Sequence, residues 1–266
     1  MSPDPIRPVP SQRHGLPPIP LAEQLDNHDE YQAPITDALA GRTLTLHFDD
    51  DITAEVTFDT ETTLHWSASS ELLWGSEGSD EYEAVVLRDD IYAVMISRLS
   101  QDTNALVVLD DTTQRVLVNL TTFVTEDGET RERTGFFQAG IDGPLSERYE
   151  RTEELVGKRV GQRYSSTHVF EHIYLNPNTY VFQGLTGPEA GISDVDAADF
   201  WKLGEQLYLF SWHERAQPWN GAVVVDLINN RSTGRMFAWD EISGTSMQSR
   251  TTSESTLLST TTYDAL

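Results

Sequence analysis

The feature that most constrains this chain is a repeat built from short strands. After Gly41 the sequence breaks into alternating runs, RTLTLHF, ITAEVTF, TTLHW, YEAVVL, IYAVMIS, ALVVLD and QRVLVNL, divided by DDD, SEGSD, RDD and DDTT turn clusters. Period-two alternation in β-branched and aromatic residues is strand chemistry, and many short strands at regular spacing predict an antiparallel barrel or sandwich. The pattern then returns at one lag. Tyr92 and Tyr208 stand 116 residues apart (208 − 92), and Gly41 with Gly157, Asp110 with Asp226, Asn104 with Asn220, Glu55 with Glu171 and Trp66 with Phe182 share that offset. A constant lag over more than half the chain marks a tandem duplication. The expected fold is all-β, two tandem antiparallel units, each a barrel or a sandwich.

Boundaries follow from composition. Residues 1–37 are proline-rich and aperiodic and read as an arm; 38–125 carry the first β unit and 154–266 the second. Residues 126–153, charged and dotted with arginine, read as a linker. The segment DVDAADFWKLG (194–204) is the one stretch entertained as a short helix.

The copies differ chemically. Where the first has Ala54, Glu55 and Val56, the second has Phe170, Glu171 and His172; Ile96 stands for Trp212, and Arg98 for Glu214. In the strand-like run VFEHIYLN, Phe170, His172 and Tyr174 share a face with the preceding His168. In QLYLFSWHER, Tyr208, Phe210, Trp212 and Glu214 do. Polar groups on aromatic faces suit a small-molecule pocket inside a barrel. His172, Glu214, Tyr208 and Tyr174 are its candidate acid–base groups; Phe170, His168, Phe182, Phe210 and Trp212 are its candidate substrate-binding walls. A carboxylate and an imidazole held in such a cavity acquire perturbed pKa values and move protons. The plain alternative is a barrel core with hydrogen-bonded polar groups.

Several function classes are disfavoured. A formal charge of −25 repels phosphate backbones, so no nucleic-acid partner is expected. There is no cysteine, hence no disulfide or thiolate site. No apolar run approaches a membrane span and the first residues lack a signal-peptide core, so a cytoplasmic protein without membrane contact is expected. Neither a P-loop, a dinucleotide fingerprint nor a G-x-S-x-G elbow occurs. His168-x-x-Glu171-His172 matches the inverted zinc-peptidase pattern. On a strand, however, its histidines lie about 13 Å apart at roughly 3.3 Å per residue. Neither metal nor cofactor is expected; the partner is a small organic ligand.

The runs EHIYLN, GLTGPEAGISDVD, LYLFSWHER and VVVDL with RSTG, together with Tyr180, resemble the C-terminal half of the molybdenum cofactor biosynthesis protein F (MoaF) family. LHFDD, LHW, the Y-E-A-V motif at Tyr82 and VVLD resemble its N-terminal half, the likeness spanning roughly residues 38–240. Asp51 departs from an expected glycine and Phe182 from an expected tryptophan. The resemblance implies two lipocalin-like (calycin) barrels. It also makes Glu171, His172, Tyr174, Glu189, Asp194, Tyr208, Trp212, Glu214 and Asp226 family-like residues, Asp226 as a turn cap. Two functions stay open: a cofactor-independent lyase, isomerase or cyclase of specialised metabolism, or a non-catalytic ligand-binding protein in molybdenum cofactor biosynthesis. A pterin ligand would need anion donors, and Arg215 and Lys202 are the nearest in sequence.

Overall fold

The computed structural model describes residues 30–72, 75–215 and 217–262, so most of the proline-rich arm lies outside the described residues. The chain divides into two compact units. In the first, β1 (Thr43–His47), β2 (Thr53–Phe58), β3 (Thr63–Leu72), β4 (Gly75–Arg88), β5 (Ile91–Arg98), β6 (Thr103–Asp110), β7 (Arg115–Glu126) and β8 (Glu129–Ile141) follow one another around a closed barrel. Pairing of β1 with β8 closes it, and closure leaves no exposed sheet edge. The tip of the β7–β8 hairpin, residues 123–132, counts with the second unit.

That second unit repeats the plan with β10 (Lys158–Arg163), β11 (Val169–Asn176), β12 (Thr179–Thr186), β13 (Ser193–Gly204), β14 (Leu207–His213), β15 (Trp219–Asp226), β16 (Arg231–Asp240) and β17 (Thr245–Thr260). Pairing of β12 with β13 closes the ring, and the two-residue β9 (Glu150–Arg151) lies along β13. The lag of the sequence is also the lag of the ladders. Val56 faces Trp66 as His172 faces Phe182, and Tyr82 faces Ile96 as Ala198 faces Trp212. Ile91 faces Asp110 as Leu207 faces Asp226. The barrels differ at the pair joining first and last strands: Leu46 faces Ile141, but Gln162 faces Ser255, with an irregularity between Arg159 and Val160.

Two expectations are corrected. The presumed linker 126–153 contains β8, the eighth strand of the first barrel, since a closed barrel needs a partner for β1. Its turn was legible as Asp127-Gly128, both at positive φ (54° and 82°), a hairpin dipeptide hidden among charges. DVDAADFWKLG is no helix but the body of β13. Asp196, Ala198 and Phe200 are buried while Ala197, Asp199 and Trp201 are less so, and ladders to β12 and β14 hold both edges. Two ladders outweigh the weak helix preference of an Ala-Ala-Asp stretch.

The cores carry the chemical divergence. The first is mainly aliphatic, with Leu44, Leu64, Val94 and Val118, whereas Tyr174, Tyr180, Phe200, Phe210 and Trp212 fill the second. Asp226 caps its turn, accepting from the Ile228 and Asn229 amides (both 3.0 Å). Asp110 does the same for Thr113 (3.0 Å).

Candidate functional site

A cavity of about 50 Å³ opens in the second barrel, several times the roughly 10–15 Å³ that one water needs. His172 and Phe170 reach it from β11, Tyr180 and Phe182 from β12, Trp212 from β14 with Glu214 just beyond that strand's end, and Trp219 and Met236 from β15 and β16. Strand alternation puts every second side chain inside, so five of the sequence-predicted residues, His172, Glu214, Phe170, Phe182 and Trp212, meet in one place.

The other four do not line it. Tyr208 is buried, and its hydroxyl donates to Glu154 Oε2 (2.8 Å). Tyr174 sits in the aromatic core against Phe200 and Phe210; burial raises its pKa and Gln162 partly offsets this. Phe210 stacks between Phe200 and Trp212 at ring distances of 5.4 and 5.2 Å. His168 precedes β11, and its Nδ1 lies 3.0 Å from Thr167 Oγ1 and 3.3 Å from Ser165 Oγ. Glu171 points the other way and pairs with Arg159 Nε at 2.5 Å.

His172 is ringed edge-on by Tyr180 (5.3 Å), Phe210 (5.7 Å), Tyr174 and Trp212 (both 6.3 Å). Burial in this apolar shell pulls its pKa down to about 3, so the imidazole is neutral at ordinary pH. Its Nδ1 is buried with no hydrogen-bond partner, as is the indole nitrogen of Trp219. Glu214 accepts from Gln217 Nε2 (3.2 Å).

Sequence reasoning missed Asp196, which faces Tyr180 across the β12–β13 ladder. It is buried; Oδ1 accepts from the Arg215 amide (3.0 Å) and Oδ2 has no partner. Burial pushes its pKa up to about 7, with Asp194 adding to the rise and Arg215 and His213 opposing it. Burial also raises the Tyr180 phenol well above its ordinary value, Asp196 and Glu214 adding to the effect. The spacing of Asp196, Ala198 and Phe200 in β13 was a signal of weak side-chain contrast, and the helix reading concealed it.

Outside the lumen lies a second buried polar group of this unit. His213 Nδ1 meets Glu132 Oε1 at 2.6 Å and its Nε2 meets Asp199 Oδ2 at 3.1 Å. Arg235, wholly buried, donates to Asn220 Oδ1 (2.8 Å). Burial alone would depress His213, but Glu132 and Asp199 outweigh it and raise the pKa to about 10. Thus two histidines of one barrel, on β11 and β14, sit in opposite charge states.

Among the described residues no helix is long and apolar enough to cross a membrane. The MoaF N-terminal domain model matches residues 20–125 and the MoaF C-terminal domain model residues 149–261. Protein MoaF of Klebsiella aerogenes is 41% identical over 88 residues, an alignment covering 33% of this chain and 34% of that protein. A solved structure of a Burkholderia vietnamiensis protein, described as a beta-lactamase candidate, covers 41% of this chain and 98% of its own at 17% identity and a TM-score of 0.29. With the N- and C-terminal domain models matching in order over the two barrels, the chain belongs to the MoaF family.

Proposed function

We propose that the second barrel binds a small organic molecule and moves a proton on it without a cofactor, as a lyase, isomerase or cyclase does. One observation carries the reading: three buried polar atoms, His172 Nδ1, Trp219 Nε1 and Asp196 Oδ2, lack partners in or beside one aromatic cavity. Buried polar groups are rarely left unpaired, and clusters of exceptions call for a functional reason. Glu214, on the lining, is the candidate base. The Tyr180 phenol, held protonated, and the neutral His172 are suited to hydrogen-bond a carbonyl oxygen as charge develops on it. Asp196, behind Tyr180, is a positioning group that can hold or release a proton near neutrality. With Glu189 and Glu214 lining the cavity, the ligand should present donors or a positive nitrogen. That disfavours a phosphate-bearing pterin, and with it the alternative role in molybdenum cofactor biosynthesis.

Proton transfer can be detected before the product is known. The full chain is incubated in D2O with a panel of small enolisable carbonyl compounds, and exchange at carbon is followed by NMR. Wild-type chain should exchange at least one of them. Glu214→Gln and His172→Asn, nearly isosteric, should keep binding and cut exchange by about 10²–10⁴-fold. Binding with no exchange would favour a non-catalytic binding protein. Exchange unaffected by both variants would place the chemistry elsewhere.

A further inference from the structure

The duplication also exposes what the first barrel has become. At the positions matching His172, Phe210 and Trp212, it carries Val56, Val94 and Ile96, and opposite them on the wall Val107 and Val118. These residues line a cavity of about 60 Å³. At these places aliphatic side chains replace the rings of the second lumen, although Phe48, Phe58 and Trp66 remain on the lining, and the ladders compared keep the same register. Smaller side chains at these places leave the lumen partly unfilled. The lining is apolar apart from Asp80, whose carboxylate is already taken by Arg98 Nε (2.7 Å) and Trp66 Nε1 (2.8 Å), with the Arg98 guanidinium 5.7 Å from the Trp66 ring centroid.

We propose that the first barrel is a second, independent binding site, and that its ligand is a small uncharged apolar molecule, a single ring or a short hydrocarbon chain. Size and chemistry both point there. The space exceeds several times what one water needs, yet the lining offers water few of the two to four polar partners that it requires. An apolar lumen of this kind gains from apolar contact alone. The charged corner at Asp80 is internally neutralised, so it demands no charge of the ligand. This site shares no residue with the second-barrel pocket and does not depend on the reading given for it.

The test is a titration of the full chain, labelled with ¹³C at Ile, Leu and Val methyls, with toluene. Saturable shifts should concentrate at Val94, Ile96, Val107 and Val118, while the second-barrel methyls Val223 and Val225 stay still. Val94→Phe, and Ile96→Trp made together with Ala105→Gly, install the side chains that the second barrel carries at those places. Either one, with its β spectrum unchanged, should weaken toluene binding at least about tenfold by filling the space. Non-saturable shifts in the wild-type chain, shifts centred on the second barrel, or full affinity retained in a folded filling variant would overturn the proposal.

Discussion

Gly221 and Ala105 hold the same place in the two barrels, and each answers the side chain across its ladder. Trp212 faces Gly221 and Ile96 faces Ala105. A Cβ on Gly221 would fall 1.9 Å from the Trp212 ring, so the large indole requires the glycine. Gly221→Ala should cost about 1–3 kcal/mol in urea unfolding, the usual range for overpacking. Trp212→Ile made with it should recover part of that loss, because the pair then matches the first barrel. Additive losses in a double-mutant cycle would show that the two residues do not pack as a unit. Trp212→Ala alone should cost about 3–5 kcal/mol. Asp196 gives a pH test. Its folded pKa, about 7, exceeds the ordinary 3.8, so between those values the native state binds more protons than the unfolded one and stability falls as pH rises. Asp196→Asn keeps an acceptor for the Arg215 amide. Its stability relative to wild type should therefore grow from about pH 4 to 7 and level off above; a flat difference contradicts the raised pKa.

At the scale of elements, the strands after Gly41 were legible because each alternates over a core that is buried on one face. Two were not. In β8 the outward charges of ETRER masked the alternation, and in β13 the run Asp196-Ala197-Ala198-Asp199 carried too little side-chain contrast. Those strands became visible only through the barrel's need for partners on both edges. For the site, sequence placed His172, Glu214, Phe170, Phe182 and Trp212 on the lumen, since alternation reports facing. Tyr208, Tyr174, Phe210 and His168 lie off that cavity, because facing inward does not distinguish a cavity wall from a filled core or a hydrogen-bonded turn. The tip of the β7–β8 hairpin supplies an element-scale prediction. Glu132 is buried and holds the His213 imidazolium. Glu132→Gln leaves buried cationic groups short of a counter-charge and should cost about 3–5 kcal/mol. NMR titration should show the His213 pKa falling from its wild-type value near 10; an unmoved value would mean that Asp199 alone holds the proton.

For the whole molecule, one β unit written twice gives two barrels of equal strand plan and unequal interiors. The aliphatic lumen offers contact; the aromatic one offers buried groups whose charge states are set by desolvation. The proposed proton transfer rests on that second interior, where a neutral imidazole and a carboxyl group whose pKa burial raises to about 7 lie in or beside the same cavity. The most direct measurement is a site-resolved NMR titration of the ¹³C-labelled full chain, following the His172 imidazole and the Asp196 carboxyl together. Asp196 should titrate near pH 7, and His172 should remain neutral down to about pH 4. A His172 midpoint near 6.5 with Asp196 near 4 would mean that water reaches both groups freely, and the proposed proton-transfer site would fall with that result.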